Sequence, residues 1–488
     1  MNNKVKTKIH NDQCNDVRDL IRAKLVELSI PSLAVAVAQN GKILWEEGFG
    51  WADRENRVPA NEHTMYSLAS ISKPITATGL MILKERGKLD LDRPINDYLG
   101  DAKLKAWVGN PDEATVRRIA NHSSGLPLHY HFFHEDEPYQ RPPMDETIRR
   151  YGNLVTAPGE KYQYANLGYG ILDYVISRLS GKSYPDFMRE EVFLPLNMTH
   201  TSVHIGLRLK KYQAARYGSD GLPIPFYDFD HPGASAVFSS AHDLVRFGMF
   251  HLKAHLPDQK AILSDETIDE MQHPTADVSN GNGYGIGWRI NDNEMGYRSV
   301  RHSGGMGGVS TVLVLVPSEK LAVVALTNSS SPLPDQISKE ILSVMLPEYA
   351  RNRALSETQK EQEKGQSQEP APSFEPTPEL IGKWSGSVHT YKRDIPLTFW
   401  FKESGDVHVQ LGDQLKTLLN DMSFKDGCLG GRMMGDIGTE DANRRPYHLH
   451  TALKLRGQVL NGAITAISLP GPRLGNALSH WVELKKQG

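Results

Sequence analysis

Residues 32–50, SLAVAVAQNGKILWEEGFG, form two strand-like apolar runs on either side of Asn40-Gly41. Both residues of that pair tolerate positive φ, so the pattern predicts a tight hairpin. From Ser70 the period changes. Ile71, Ile75, Leu80, Met81 and Leu83 recur at helical spacing and Gly87 supplies a stop, which predicts a helix beginning near the serine. Over residues 111–210 the apolar spacing is mainly helical, interrupted by the loops NHSSGLPLHYHFFHEDEPY and VTAPGEKYQYANLG. Later, RHSGGMGGVSTVLVLVPSEKLAVVALTN reads as two strongly apolar strands around Pro317-Ser318-Glu319-Lys320, and ISKEILSVMLPEYARN as a closing helix. The predicted class is therefore α+β: an antiparallel sheet flanked by helices, with a mainly helical insert.

The stretch Ser356–Ser373, SETQKEQEKGQSQEPAPS, carries no large apolar side chain, so it cannot bury enough surface to offset its ordering entropy and predicts a polar linker. The expected organisation is a body over 1–355, a linker over 356–378 and a separate unit over 379–488. In that last unit, runs such as DIPLTFWF, DVHVQLG, YHLHTALKLRG and HWVELKK alternate apolar and polar positions, with turns at Gly405-Asp406 and Asn461-Gly462. About eight strands fit, which predicts a small antiparallel β-barrel or sandwich.

Composition narrows the class without choosing a function. Hydrophobic residues are 39% and charged residues 23% of the 488, and the formal net charge of −3 gives no reason to expect nucleic acid or an anionic membrane as partner. MNNKVKTKIHNDQCNDVRDL lacks the apolar core of a signal peptide, so a cytoplasmic protein is expected. Cys14 and Cys428 lie far apart and match no zinc spacing; two unpaired thiols are expected rather than a bridge. Histidines 122, 129, 131 and 134 fit no zinc pattern either and read as part of a mobile aromatic loop. No GxxxxGK[ST], no Rossmann GxGxxG and no GxSxG elbow occurs. The expectation is a metal-free protein without cofactor, acting on a small molecule or short peptide, with homo-oligomerisation left open.

Candidate chemistry starts at Ser70-Ile-Ser-Lys73. Positions i and i+3 share a helix face, so the Lys73 amine reaches the Ser70 hydroxyl, and Pro74 is tolerated in the first turn, where missing amide donors cost little. An amine beside a hydroxyl is what nucleophilic acyl transfer needs. Alone, this common four-residue spacing reads as an N-cap serine and a solvated lysine.

Its company changes that reading. The ordered blocks SISKPITATGLMILKERGKLDLDRPINDYLG, TVRRIANHSSGLP, PGEKYQYANLGYGILDYVISRLSG, PGASAVFSSAHDLVRF, YGIGW and RHSGGMGG resemble the serine beta-lactamase and penicillin-binding protein superfamily over about residues 20–350. The similarity is to its class C beta-lactamase-like branch of D-aminopeptidases, related peptidases and carboxylesterases. It implies Ser70 as the acylated nucleophile, Lys73 as partner in general base catalysis, and Tyr164, of Tyr164-Ala165-Asn166, as the relay that protonates the leaving group. It also implies Asn166 as a holder of Lys73 and the substrate carbonyl. The third motif is His302-Ser303-Gly304 where antibiotic-directed members carry Lys-Thr-Gly. These three residues would line the substrate, with Gly304 slim enough for its close approach, and the Gly305 and Ser70 N–H groups would form the oxyanion hole. His302 lacks the permanent charge of lysine, which lowers the expectation of beta-lactam hydrolysis. The resemblance thus favours a peptidase for small peptides or amino-acid amides, D-residues included, ahead of a carboxylesterase on short acyl esters, a beta-lactamase or a non-catalytic binding protein. Gly382-Lys383-Trp384 looks like the opening signature of a lipocalin-type barrel.

Overall fold

The computed structural model describes residues 14–364 and 374–488, without the side chains of 360–364. Residues 1–13, and residues 365–373 of the stretch expected to be a linker, lie outside the described residues. Two compact units, each discontinuous along the chain, make up the fold. The first comprises Met1–Asp92, His134–Pro138 and Tyr169–Ser367; the second comprises Arg93–Phe133, Tyr139–Gly168 and Gln368–Gly488.

In the first unit a nine-stranded antiparallel sheet has the order Ala276–Ser279, Asn282–Tyr284, Arg289–Glu294, Tyr297–Met306, Val309–Val316, Leu321–Thr327, Ser32–Gln39, Lys42–Asp53, Val58–Pro59. The predicted hairpin is present, with Asn40 at φ +52° and Gly41 at +73°. Early and late strands meet at its centre, where Leu33 lies opposite Thr327 and Gln39 opposite Leu321. Because side chains alternate across a strand, one set (Leu33, Val35, Val37, Val323, Ala325) packs on Val17 and Ile21 of helix Asn15–Glu27 and on Ile337 and Ile341 of helix Leu333–Met345. Helix Ala241–His251 covers the opposite face. A Cβ at Gly248 would stand 3.0 Å from both the Ala322 Cβ and the Leu315 Cδ2, so glycine lets this helix approach the sheet closely. Helix Ser72–Glu85 is buried from Ser72 to Leu83 and ends before Gly87, at φ +68°.

The closing helix is two helices, Leu333–Met345 and Pro347–Lys364, and the second runs through the stretch 356–364 that composition marks as linker. Polar residues suffice there because Arg353 pairs with Glu357 one turn on, at 2.9 Å, and with Glu340 at 2.7 Å.

The second unit contains a nine-stranded antiparallel sheet in the order Thr417–Leu418, Val407–Leu411, Asp394–Phe401, Gly382–His389, Ala477–Lys486, Val459–Ser468, Tyr447–Arg456, Cys428–Met433, Asn420–Lys425. Its two edge strands are consecutive in the chain, so the sheet curls back on itself into a nearly closed barrel. Trp384 is fully buried and donates from Nε1 to the Leu380 carbonyl at 2.7 Å. Strands Val459–Ser468 and Ala477–Lys486 are largely buried on both faces because segments from 93–133 and 139–168 cover their outer side. There Trp107 stacks on Trp481 with ring centroids 5.7 Å apart, and Val155 packs on Ala463 and Trp481.

The expected mobile loop is pinned instead. Tyr130 and Ala477 exchange backbone hydrogen bonds of 3.0 and 2.9 Å, Ser479 Oγ donates to the Leu128 carbonyl, and the Phe132 N–H donates to Asn476 Oδ1. His129 and His131 are buried by this pairing. Among the described residues no helix is long and apolar enough to cross a membrane.

Candidate active site

Ser70 lies in the tight turn Ala69–Ile71 that leads directly into helix Ser72–Glu85. Ala69 adopts φ +48°, a left-handed conformation that costs a non-glycine residue about 1 kcal/mol or more and turns the chain sharply just before the serine. Pro74 sits in the first helical turn, as expected.

Lys73 is completely buried, and its Nζ donates to Ser70 Oγ at 3.0 Å and to the Ala234 carbonyl at 3.2 Å. The Tyr169 ring centroid lies 5.8 Å away. Burial pushes the ammonium far below its ordinary value, which favours the neutral amine next to the serine hydroxyl. The Ala234 carbonyl is itself fixed. Thr76 Oγ1 donates to the Gly233 carbonyl at 2.6 Å, the Gly233 N–H donates to Asp173 Oδ2 at 2.5 Å, and the Val237 N–H donates to Ser72 Oγ at 3.0 Å. Residues 233–237 are thus clamped along the nucleophile helix.

The third motif lies on strand Tyr297–Met306. This strand pairs with Arg289–Glu294 only as far as Arg301, while Val300–Met306 stay paired with Val309–Leu315. Residues 302–306 therefore have one open edge. His302 is buried; its Nδ1 lies 2.8 Å from the Ser303 carbonyl and its Nε2 lies 2.9 Å from the Tyr284 hydroxyl. A carbonyl only accepts, so Nδ1 carries the proton and Nε2 accepts from Tyr284. Burial above all pushes His302 down to about 3, and it is neutral at physiological pH.

Packing alone requires glycine at position 304, apart from the substrate approach expected from the motif. A Cβ there would lie 2.1 Å from the Leu68 carbonyl oxygen, 2.4 Å from Thr311 Oγ1 and 3.0 Å from the Ala69 Cβ, so the strand presses directly on the turn that carries Ser70. Thr311 Oγ1 ties the same Leu68 carbonyl at 2.8 Å. A Cβ at Gly305, by contrast, would meet open space. Gly304→Ala should therefore lower stability by about 2 kcal/mol or more in urea titration, because a backbone carbonyl must move, whereas Gly305→Ala should cost well under half of that.

Tyr164 and Asn166 belong to the second unit. The loop before them zips onto the 121–125 stretch: the Gln163 N–H donates to the His122 carbonyl, the Gly159 N–H to that of Ser123 and the Val155 N–H to that of Gly125, at 2.7, 2.7 and 2.8 Å. His122 Nδ1 accepts the Ala165 N–H at 3.2 Å, and its ring lies 4.3 Å from that of Tyr164. The NHSSG block thus positions the Tyr-x-Asn motif. Asn166 then opens helix Asn166–Ser180.

The sequence motifs omit Ala234, Tyr169 and Tyr284. Each lies within a block that the family resemblance already spans, but only the tertiary fold shows that the first two face Lys73 and the third faces His302.

A family model described as Beta-lactamase matches residues 17–343. Protein flp of Staphylococcus aureus (strain N315) is 26% identical over 333 residues, 67% of this chain; the chain spans 65% of that relative's length. Penicillin-binding protein 4* of Bacillus subtilis (strain 168) is 28% identical over 323 residues, 60% of this chain and 67% of the relative. Among solved structures, the octameric penicillin-binding protein homologue from Pyrococcus abyssi aligns over 96% of this chain and 99% of its own, with a TM-score of 0.59 and 22% identity. A class C beta-lactamase aligns over 68% and 96%, with a TM-score of 0.58 and 21% identity. At these identities the structural likeness concerns the fold.

Proposed function

The chain belongs to the beta-lactamase family, a family of serine acyl-transfer enzymes and hydrolases, and on that premise we propose that it cleaves amide or ester bonds through an acyl-enzyme on Ser70. The observation that carries this reading is the fully buried Lys73 amine 3.0 Å from Ser70 Oγ, its ammonium form disfavoured by that burial. Ser70 Oγ attacks the substrate carbonyl carbon while its proton passes to Lys73. The Ser70 and Gly305 N–H groups receive the developing oxyanion, and Asn166 orients the lysine and the substrate carbonyl. Tyr164 relays a proton to the departing amine or alcohol as the carbon-heteroatom bond breaks. Water then attacks the ester carbonyl of the acyl-enzyme, releasing a carboxylic acid and restoring the serine hydroxyl.

His302 shapes the choice of substrate. A lysine at the third motif would offer a fixed cation to a substrate carboxylate; His302 is neutral and both its ring nitrogens are already engaged. The favoured substrates are therefore small peptides and amino-acid amides, including those with a D-residue, that need no carboxylate at that position. A carboxylesterase on short acyl esters uses the same groups. A parallel rate survey separates them: kcat/KM highest on D-aminoacyl anilides supports the peptidase, highest on p-nitrophenyl esters selects the esterase, and efficient nitrocefin hydrolysis overturns the argument from His302.

We read residues 379–488 as an appended lipocalin-like barrel that holds the second motif, because Glu160, four residues before Tyr164, binds Lys454 and Arg456 of the barrel at 2.7 Å each. Burial opposes the Glu160 charge, but these two cations outweigh it and hold the carboxyl at about 2. The Pyrococcus homologue's octameric state makes homo-oligomerisation a proposal for this chain too, checked by light scattering.

A further inference from the structure

In the second unit, the loop that leads to Tyr164 and the outer wall of the barrel line a partly open cavity of about 240 Å³. Its floor exists because the outward positions of two paired strands are small: Gly430 lies opposite Ala452 in the register, and Ala452 is exposed. Val155 and Thr156 contribute the facing wall. A space of this volume accommodates a small organic molecule.

The polar groups around this space are one-sided. Lys161, Lys425 and Lys454 line it and no carboxylate does. Glu160 engages Lys454, whereas among the described residues Lys161 and Lys425 make no ion pair. Two buried polar atoms of the lining, Thr156 Oγ1 and Gln163 Oε1, have no hydrogen-bond partner among the described residues, and Thr156 is only 5% exposed. A buried hydroxyl without a partner is a group that a ligand can satisfy. The combination of a small apolar floor, two ammonium groups without counterions and an unsatisfied hydroxyl describes the complement of one kind of molecule.

We infer that this cavity binds a small amphipathic carboxylate, its apolar body against Gly430, Ala452 and Val155 and its anionic head on Lys161 and Lys425, with the Thr156 hydroxyl donating to it. Such a ligand would touch Gln163, the residue before Tyr164. The inference does not rest on acyl transfer at Ser70, so a Ser70→Ala protein should bind the same ligand.

Cys428 provides the readout, since it lines the cavity and is partly exposed, whereas Cys14 is buried in the other unit. Alkylation of Cys428 by iodoacetamide, followed by mass spectrometry, should slow about fivefold at a hexanoate or benzoate concentration about four times its Kd, from simple occupancy. Hexanamide should give no protection. Lys161→Glu and Lys425→Glu should each abolish protection by hexanoate, and Ala452→Phe should abolish it by filling the floor, all three with melting temperatures close to that of the parent. Absence of protection by either carboxylate at high millimolar concentration, equal protection by hexanamide, or protection by inorganic phosphate but not by the carboxylates would each overturn the proposal. So would full protection retained in Lys161→Glu and Lys425→Glu.

Discussion

Ser70→Ala should remove hydrolytic turnover, by about 10⁴-fold or more in kcat, while the protein keeps its fold. Ser70 is only partly buried, and its hydroxyl accepts from Lys73, whose amine retains the Ala234 carbonyl when the hydroxyl is gone. No packing is lost beyond one oxygen atom. The chemical loss follows from the proposed mechanism, in which the Ser70 oxygen alone forms the acyl ester. The measurement has two parts: turnover on the best substrate of the rate survey, and covalent capture by a fluorophosphonate with the adduct located by peptide mass spectrometry. The parent should carry the adduct on the peptide containing Ser70 and the variant should carry none. A variant that retains more than about a tenth of the parent rate would sink the nucleophile assignment. A parent that takes no label, under conditions that label a related active hydrolase, would point instead to a binding protein built on this scaffold.

Much of this site is legible from local spacing, and the rest depends on distant chain segments. Ser70 and Lys73 meet because i and i+3 share a helix face, and the hairpin at Asn40-Gly41 follows from two residues that accept positive φ. The charge state of Lys73 is not local. It is set by burial, to which residues 161 positions away in sequence contribute, since Ala234 must arrive over the helix. Gly304 looks like a substrate-side glycine in a motif, and its neighbours Leu68 and Thr311 add a packing requirement beneath the nucleophile turn that the motif does not show. The barrel alternation is visible in the sequence, but its ninth strand is not, because Thr417–Leu418 is too short to display a period. Composition also misreads 356–364. The helix continues through that polar stretch, where Glu357 pairs with Arg353 a turn earlier, a kind of contact that hydrophobic periodicity does not register.

Lys73→Met should lower kcat by about 10²- to 10⁴-fold and, at the same time, change how stability depends on pH. In the unfolded chain the lysine titrates near 10.5, whereas burial holds the folded-state value well below that. Between the two values the unfolded chain binds a proton that the native protein does not, so parent stability rises with pH across this window. Read in the other direction, the buried neutral lysine costs the parent about 1.4 kcal/mol for each pH unit below 10.5, until the folded-state value is reached. Methionine fills a similar volume and does not titrate. It leaves the Ala234 carbonyl without its donor, but that cost does not vary with pH. The difference in melting temperature, variant minus parent, should therefore be largest at the acid end of a series from about pH 6 to about pH 10 and shrink as pH rises between the folded-state value and 10.5. A difference that stays constant over the series would mean that Lys73 carries its proton in the folded protein and cannot take one from Ser70. Loss of activity together with the predicted slope would tie the same neutral amine to both effects, because the burial that makes Lys73 a base is what the fold loses stability to maintain.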